Sequence, residues 1–63
     1  MKYTTGNRVL FEFKGDKMQG EIVGYSELLD GNRLYHIKVE DGNHTLMYHN
    51  VTESEIRSLL TSK

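Results

Sequence analysis

The chain has 63 residues, no cysteine and a formal net charge of −1 at pH 7. A chain of this length forms one domain with a modest core, since it buries only about 60% of the surface that its unfolded form exposes. The absence of cysteine excludes disulfides and thiolate metal sites, and it favours a reducing, cytoplasmic compartment.

The first predicted elements are a lead-in, a strand and a tight hairpin. Residues 1–7 are expected to form a short frayed lead-in before a strand over residues 8–14. In that strand every second residue is apolar, which gives one face suited to a core: Val9, Phe11 and Phe13. Residues 14–17 are typical of a hairpin loop, because glycine accepts a positive φ and aspartate bonds to its own backbone.

Two glycines interrupt the second predicted strand, residues 18–25. Gly20 and Gly24 each indicate a bulge, a sharp bend or the close approach of another backbone, and such a strand suits a sheet that bends into a barrel. The loop over residues 26–32 ends in strong turn residues. Its Leu28 and Leu29 either fold back as a lid or point outward as an apolar patch.

Strands three and four are predicted to form a hairpin. Residues 33–40 alternate in polarity, as in a half-buried antiparallel strand. An Asp-Gly turn at residues 41–43 then leads into a strand over residues 44–49. The apolar side of the third strand consists of Tyr35, Ile37 and Val39.

The C-terminal segment has two interpretations. Thr52 and Glu55 have the spacing of a capping box, which begins a helix. One interpretation is therefore a helix with Ile56, Leu59 and Leu60 on its apolar face. The other is a 3₁₀ turn followed by a fifth strand over residues 56–59 and a tail at 61–63. We favour the second, because a closing strand removes an exposed sheet edge.

Four meandering strands, a 3₁₀ turn and a short closing strand resemble the SH3-like barrels, which include the Tudor-type and KOW-type modules. The resemblance runs from residue 8 to about residue 60. It is carried by the opening Arg8-Val9, by residues 20–22 and by residues 51–56. We therefore predict an all-β fold, a small five-stranded SH3-like barrel in a single domain. Such barrels host unrelated activities, so the resemblance alone implies no function.

Two narrower resemblances bear on origin and activity. Residues 48–56 are similar to the ending of small uncharacterised proteins of Gram-positive bacteria and their phages, which implies a bacterial, phage or plasmid origin. Residues 19–25, Gln-Gly-Glu-Ile-Val-Gly-Tyr, resemble a strand of the plasmid-borne type II dihydrofolate reductases, which are tetramers around a pore. The pore strand of that family reads Val-Gln-Ile-Tyr. Residues 45–48 here read Thr-Leu-Met-Tyr, so only Tyr48 carries over and the substrate-binding glutamine is missing.

Metal and catalytic sites are not predicted. His36, His44 and His49 lack an i, i+2 pair, and His36 would meet His49 only by an accident of strand register, so we expect solvent-facing histidines. No serine lies in a nucleophile elbow, and no deep cleft is expected that would desolvate a carboxylate. We predict no cofactor, no metal and no catalysis.

The predicted function is that of a small binding module for another protein, or of a homo-oligomer, with no membrane partner. Tyrosine combines a rigid face with a polar tip, and exposed leucines form an apolar patch, so these residue types suit a contact surface. The predicted contact residues are Tyr25, Leu28, Leu29, Tyr48 and His49.

Two alternatives stay open. The first is a nucleic-acid-binding module of the KOW or Tudor type, which would use cations and tyrosine stacking. Its cations would be Arg8, Lys14, Lys17, Arg33 and Lys38, although their scatter along the chain disfavours it. The second alternative is a tetramer like the type II reductase. The sequence contains neither a long apolar stretch nor a basic leader, so we expect no membrane span or secretory signal.

Overall fold

The fold comes from a computed structural model, which describes residues 2–61. Its strands form one antiparallel sheet in the order β4-β3-β2-β1-β5. A 3₁₀ turn, Glu53–Glu55, precedes the last strand, so the predicted all-β fold with five strands and this turn is confirmed. The strands are β1 (Arg8–Phe13), β2 (Asp16–Glu27), β3 (Arg33–Asp41), β4 (His44–Thr52) and β5 (Ile56–Thr61). Within residues 2–61, no helix is long and apolar enough to cross a membrane.

The first hairpin is tighter than predicted. Lys14 and Gly15 have φ values of 52° and 89°, as a two-residue type I′ turn requires, and Phe13 pairs directly with Asp16. The predicted four-residue loop is therefore wrong, because Asp16 and Lys17 already belong to β2. At its other end β2 stays paired with β3 as far as Glu27, which leaves residues 28–32 as the loop.

The C-terminal segment is a 3₁₀ turn and a strand. The Thr52 N–H and hydroxyl both donate to Glu55 Oε1, at 2.8 and 3.0 Å, so the capping pattern stabilises a single turn. The chain then pairs with β1, where Val9 lies opposite Leu59. The helix interpretation is wrong, because the segment is extended and its backbone N–H and C=O groups pair with β1. β5 extends to Thr61, beyond the predicted end at residue 59, so the predicted tail is wrong at Thr61, and residues 62 and 63 lie outside the described range.

The sheet curls without its edge strands pairing. Phe11 and Phe13 of β1 each pack edge-on against Tyr48 of β4, with ring centroids 5.6 Å apart. Two strands lie between β1 and β4 in the sheet, so this contact requires a strong curl. In the strand order of residues 2–61, β4 and β5 are nonetheless the two edges. The expectation that the last strand removes an exposed edge is therefore wrong.

The core fills the concave side of this curl. Part of the lead-in joins it, because the Tyr3 N–H donates to the buried Tyr35 hydroxyl at 2.9 Å and the Gly6 N–H donates to the Ile22 carbonyl at 2.8 Å. The described lead-in is therefore packed, where a frayed segment was expected. The buried hydrophobic residues include all the apolar positions predicted for β3: Tyr3, Val9, Phe11, Ile22, Tyr35, Ile37, Val39, Val51 and Ile56. Phe13 is half-buried at their border.

The two glycines of β2 have different roles. A Cβ on Gly20 would lie 2.6 Å from Ile37 Cγ2 and 2.7 Å from the Lys38 carbonyl oxygen, so glycine allows β3 to approach closely. Gly24 has room, with its nearest atom on His36 at 3.8 Å. It lies beside a β-bulge, since the β2–β3 register skips Val23.

Candidate functional site

An open groove of about 320 Å³ lies between the β2–β3 loop and the 3₁₀ turn. The loop is ordered by its own bonds: the Leu28 N–H donates to the Asn32 carbonyl at 2.7 Å, and the Asp30 carboxylate accepts from the Asn32 backbone and side-chain amides at 3.0 Å each. We call this the loop groove. It is lined by Leu28, Asn32, Arg33, Leu34, Thr52, Glu53 and Ser54.

The two loop leucines point outward. Leu29 is exposed at 110% of its reference area and Leu28 at 43%, and Leu28 also lines the loop groove. Of the two expected arrangements, the structure has the outward apolar patch and not the folded lid. Isolated exposed leucines are ordinary, whereas an adjacent pair beside a groove is a feature of contact surfaces.

Tyr25 does not line the loop groove but packs against Arg33, which does. Its ring is half-buried, with the Tyr35 ring centroid 6.1 Å away and the Arg33 guanidinium carbon 4.0 Å from its own centroid. Arg33 also donates from Nη1 to the Tyr3 carbonyl at 2.8 Å, while its buried Nε has no partner among the described residues. Arg33 therefore ties the lead-in to Tyr25, and Tyr25 offers only part of its surface to a partner.

Tyr48 lies at a different groove, of about 450 Å³. Its ring is half-buried against Phe11 and Phe13, as described above. The structure therefore does not bring the five predicted contact residues together: Leu28 lines one groove and Tyr48 lines the other. The second groove is lined by Arg8, Met18, Gln19, Val39, Glu40, Asp41, Leu46 and Tyr48.

His49 and His36 are neighbours across β3 and β4. Their Nδ1 atoms are 3.2 Å apart, and their ring centroids are 5.1 Å apart with the ring planes at 61°. A β-bulge produces this contact, because the register passes from Tyr35↔Val51 to Ile37↔Tyr48 and leaves two residues of β4 opposite His36. The second of these is Asn50, whose φ is 60°. The two histidines do meet, through the strand register that the sequence predicted only as an accident, and the expected solvent exposure holds, with His49 exposed and His36 half-buried.

The cations named for nucleic-acid binding alternate with carboxylates. Arg8 pairs across the β1–β2 ladder with Glu21, and Glu21 pairs with Lys38 on β3. Lys17 pairs with Glu12 in the same way. A face that binds phosphates concentrates one sign of charge, and these rows do not. Among the named cations, Lys38 also lies 3.9 Å from the Glu40 carboxylate, and the Lys14 ammonium lies 5.6 Å from the Phe13 ring centroid. Glu12 also pairs with Arg57, which is not one of the named cations, at 3.3 Å.

Comparisons of this chain with protein-family models, with curated proteins and with solved structures found no match. The resemblances to SH3-like modules, to phage proteins and to type II reductases therefore stay predictions. The function has to be inferred from the side chains that the fold brings together.

Sequence reasoning missed two features of the site. Thr52, Ser54 and Leu34 line the loop groove, but nothing in their sequence pattern places the 3₁₀ turn beside the β2–β3 loop. The histidine contact depends on the bulge at Asn50. Asparagine tolerates a positive φ, so its position within β4, as the third residue from the end of the strand, is the one available signal.

Proposed function

We propose that this chain is a small non-enzymatic binding module that binds an apolar segment of another protein at the loop groove, as part of a bacterial, phage or plasmid system in the cytoplasm. The observation that supports this proposal is the fully exposed Leu29 beside Leu28, which lines the open groove. Two adjacent leucines in water are stabilised when a partner covers them, because apolar surface leaves the solvent.

The size of this contribution is large enough to measure in a binding assay. Covering one leucine side chain contributes about 1.5–3 kcal/mol, and each 1.4 kcal/mol corresponds to about a tenfold change in Kd. The loss of one leucine contact therefore weakens binding by about ten- to a hundredfold. Placing a carboxylate there weakens it further, because the partner would have to desolvate the charge.

A second copy of the chain is the other partner that the surface favours. Both edge strands carry exposed apolar side chains, Leu46 and Met47 on β4 and Leu59 and Leu60 on β5. Unpaired edges are ready sites for strand pairing between chains. None of these four exposed apolar residues lines the loop groove.

The test compares Leu29→Asp with Leu60→Asp, because both substitutions place a charge at an exposed leucine but only the first lies beside the loop groove. Each variant is used to capture partners from a bacterial lysate, and native mass spectrometry gives its oligomeric state. We expect Leu29→Asp to lose a captured protein that the wild-type chain and Leu60→Asp retain. Thermal unfolding of both variants checks that they fold.

Three outcomes would overturn the proposal. The first is identical capture by all three chains. The second is a tetramer that reduces dihydrofolate with NADPH, which would make the chain an enzyme of the type II reductase kind. The third is binding to RNA or single-stranded DNA that weakens steeply with salt and is insensitive to Leu29→Asp, which would favour a nucleic-acid module.

A further inference from the structure

The His36–His49 pair has the geometry of two metal ligands. Imidazole is the commonest metal ligand in proteins, and both nitrogens that face each other here are able to coordinate. Zn–N distances of about 2.0–2.1 Å at a tetrahedral angle place two ligating nitrogens about 3.3–3.4 Å apart. The observed Nδ1–Nδ1 distance of 3.2 Å is close to this value.

The ring positions agree with the nitrogen distance. The centroids are 5.1 Å apart, farther than the nitrogens, and the rings are tilted by 61° and therefore not stacked. Because the facing nitrogens are closer together than the ring centroids, each ring directs its Nδ1 toward the other ring, as two ligands of one ion do. Without a metal, the same 3.2 Å separation lets one imidazole donate a hydrogen bond to the other, at the long end of the usual range of about 2.7–3.2 Å.

The backbone holds this pair in place. His36 lies on β3, between the bulge of β2 at Val23 and the bulge of β4 at Asn50. His49 is exposed and His36 is half-buried, so an ion reaches the pair from solvent. The cation nearest to His36 in sequence is Lys38, two residues later on β3. Its ammonium lies 3.9 Å from the Glu40 carboxylate.

We propose that His36 and His49 bind one divalent late transition-metal ion, such as Zn²⁺ or Cu²⁺, through their Nδ1 atoms. Among the described residues no third histidine, cysteine or carboxylate completes a larger cluster, so water occupies the remaining coordination positions. The ion joins β3 to the edge strand β4 across the bulge and stabilises the folded chain. This site is separate from the loop groove and does not depend on the proposed partner.

Zinc titration of the wild-type chain, followed by calorimetry and thermal unfolding, tests the proposal. We expect one ion per chain and, at about a hundred times the Kd, a rise in Tm of about 10 °C or more. Copper should bind more tightly than zinc, following the Irving–Williams order. Magnesium should leave the Tm unchanged, because it prefers oxygen ligands.

Single substitutions locate the site. Loss of a group that merely hydrogen-bonds to a metal ligand weakens metal binding by about 10–100-fold. Loss of the ligand itself should weaken it at least as much. We therefore expect His36→Gln and His49→Gln each to weaken zinc binding at least tenfold. His44→Gln is the matched control, since His44 is exposed on β4 but lies at the opposite end of the strand, paired with Asp41. If His36→Gln does not fold without metal, the exposed His49→Gln carries the comparison. No rise in Tm with millimolar zinc, zinc binding that survives His49→Gln, or equal loss in His44→Gln would overturn the proposal.

Discussion

The close contact at Gly20 gives the strongest prediction about stability. Its φ is not positive, so an alanine there meets no backbone strain and its effect is purely steric. The added Cβ would lie 2.6 Å from Ile37 Cγ2, whereas carbon atoms usually approach to about 3.5–4.0 Å. It would also lie 2.7 Å from the Lys38 carbonyl oxygen, which belongs to the β2–β3 ladder and moves only if the ladder moves.

The expected size follows from these contacts. Overpacking a core costs about 1–3 kcal/mol, and contact with rigid backbone places Gly20→Ala at the upper end, about 3 kcal/mol. A chain of this length has a total stability of about 3–9 kcal/mol, at about 0.05–0.15 kcal/mol per residue. The variant therefore loses a third or more of its stability. For so small a domain the Tm falls by about 12–24 °C.

Gly24→Ala is the matched control on the same strand. Its Cβ would meet nothing closer than 3.8 Å. Alanine also has fewer backbone conformations than glycine in the unfolded chain, so we expect the free energy of unfolding to stay the same or to rise by about 0.4–1 kcal/mol. Urea and thermal unfolding of both variants measure the difference. Either of two results would refute the close-approach explanation. One is a Gly20→Ala chain whose stability lies within about 0.5 kcal/mol of wild type, which is the size of effect common at surface positions. The other is a Gly24→Ala chain that is destabilised as much as Gly20→Ala.

Two further predictions concern buried and capping hydrogen bonds. Tyr35→Phe removes the hydroxyl that accepts a hydrogen bond from the buried Tyr3 N–H. We expect the free energy of unfolding in urea to fall by about 1–3 kcal/mol. Tyr48→Phe keeps the ring that makes the packing contacts and should change the free energy of unfolding little. Equal effects of these two substitutions would contradict this role of the hydroxyl. Glu55→Ala removes both bonds from Thr52 and should cost about 0.5–2 kcal/mol in thermal unfolding, and an unchanged Tm would mean that the turn forms without them.

The elements that the sequence predicts well are those with a strict local pattern. Tyr35, Ile37 and Val39 alternate with polar residues, Val9 and Phe11 share one face of β1, and the structure buries all five. Thr52 and Glu55 have the spacing of a cap, and that cap forms. Phe13 sits at the end of its strand, so alternation places it on the correct face but only half in the core.

The features that the sequence does not predict depend on register between strands. The bulge opposite His36 shifts the register of β4 against β3 by one residue. A shift of that size decides whether the side chain of His49 lies next to that of His36. Tyr25 is one of the predicted contact residues, yet its ring is only half exposed. Its packing under Arg33 depends instead on the lead-in, which crosses from residues far away in the chain.

The bulge in β4 also shapes the sheet edge that another chain could pair with. A long, flat, unpaired strand is a template for aggregation, and β4 is nine residues long and lies at an edge. Its irregularity at residues 49–50 interrupts the regular row of free amides and carbonyls and increases the local twist. The regular part of this edge therefore extends only along residues 44–48.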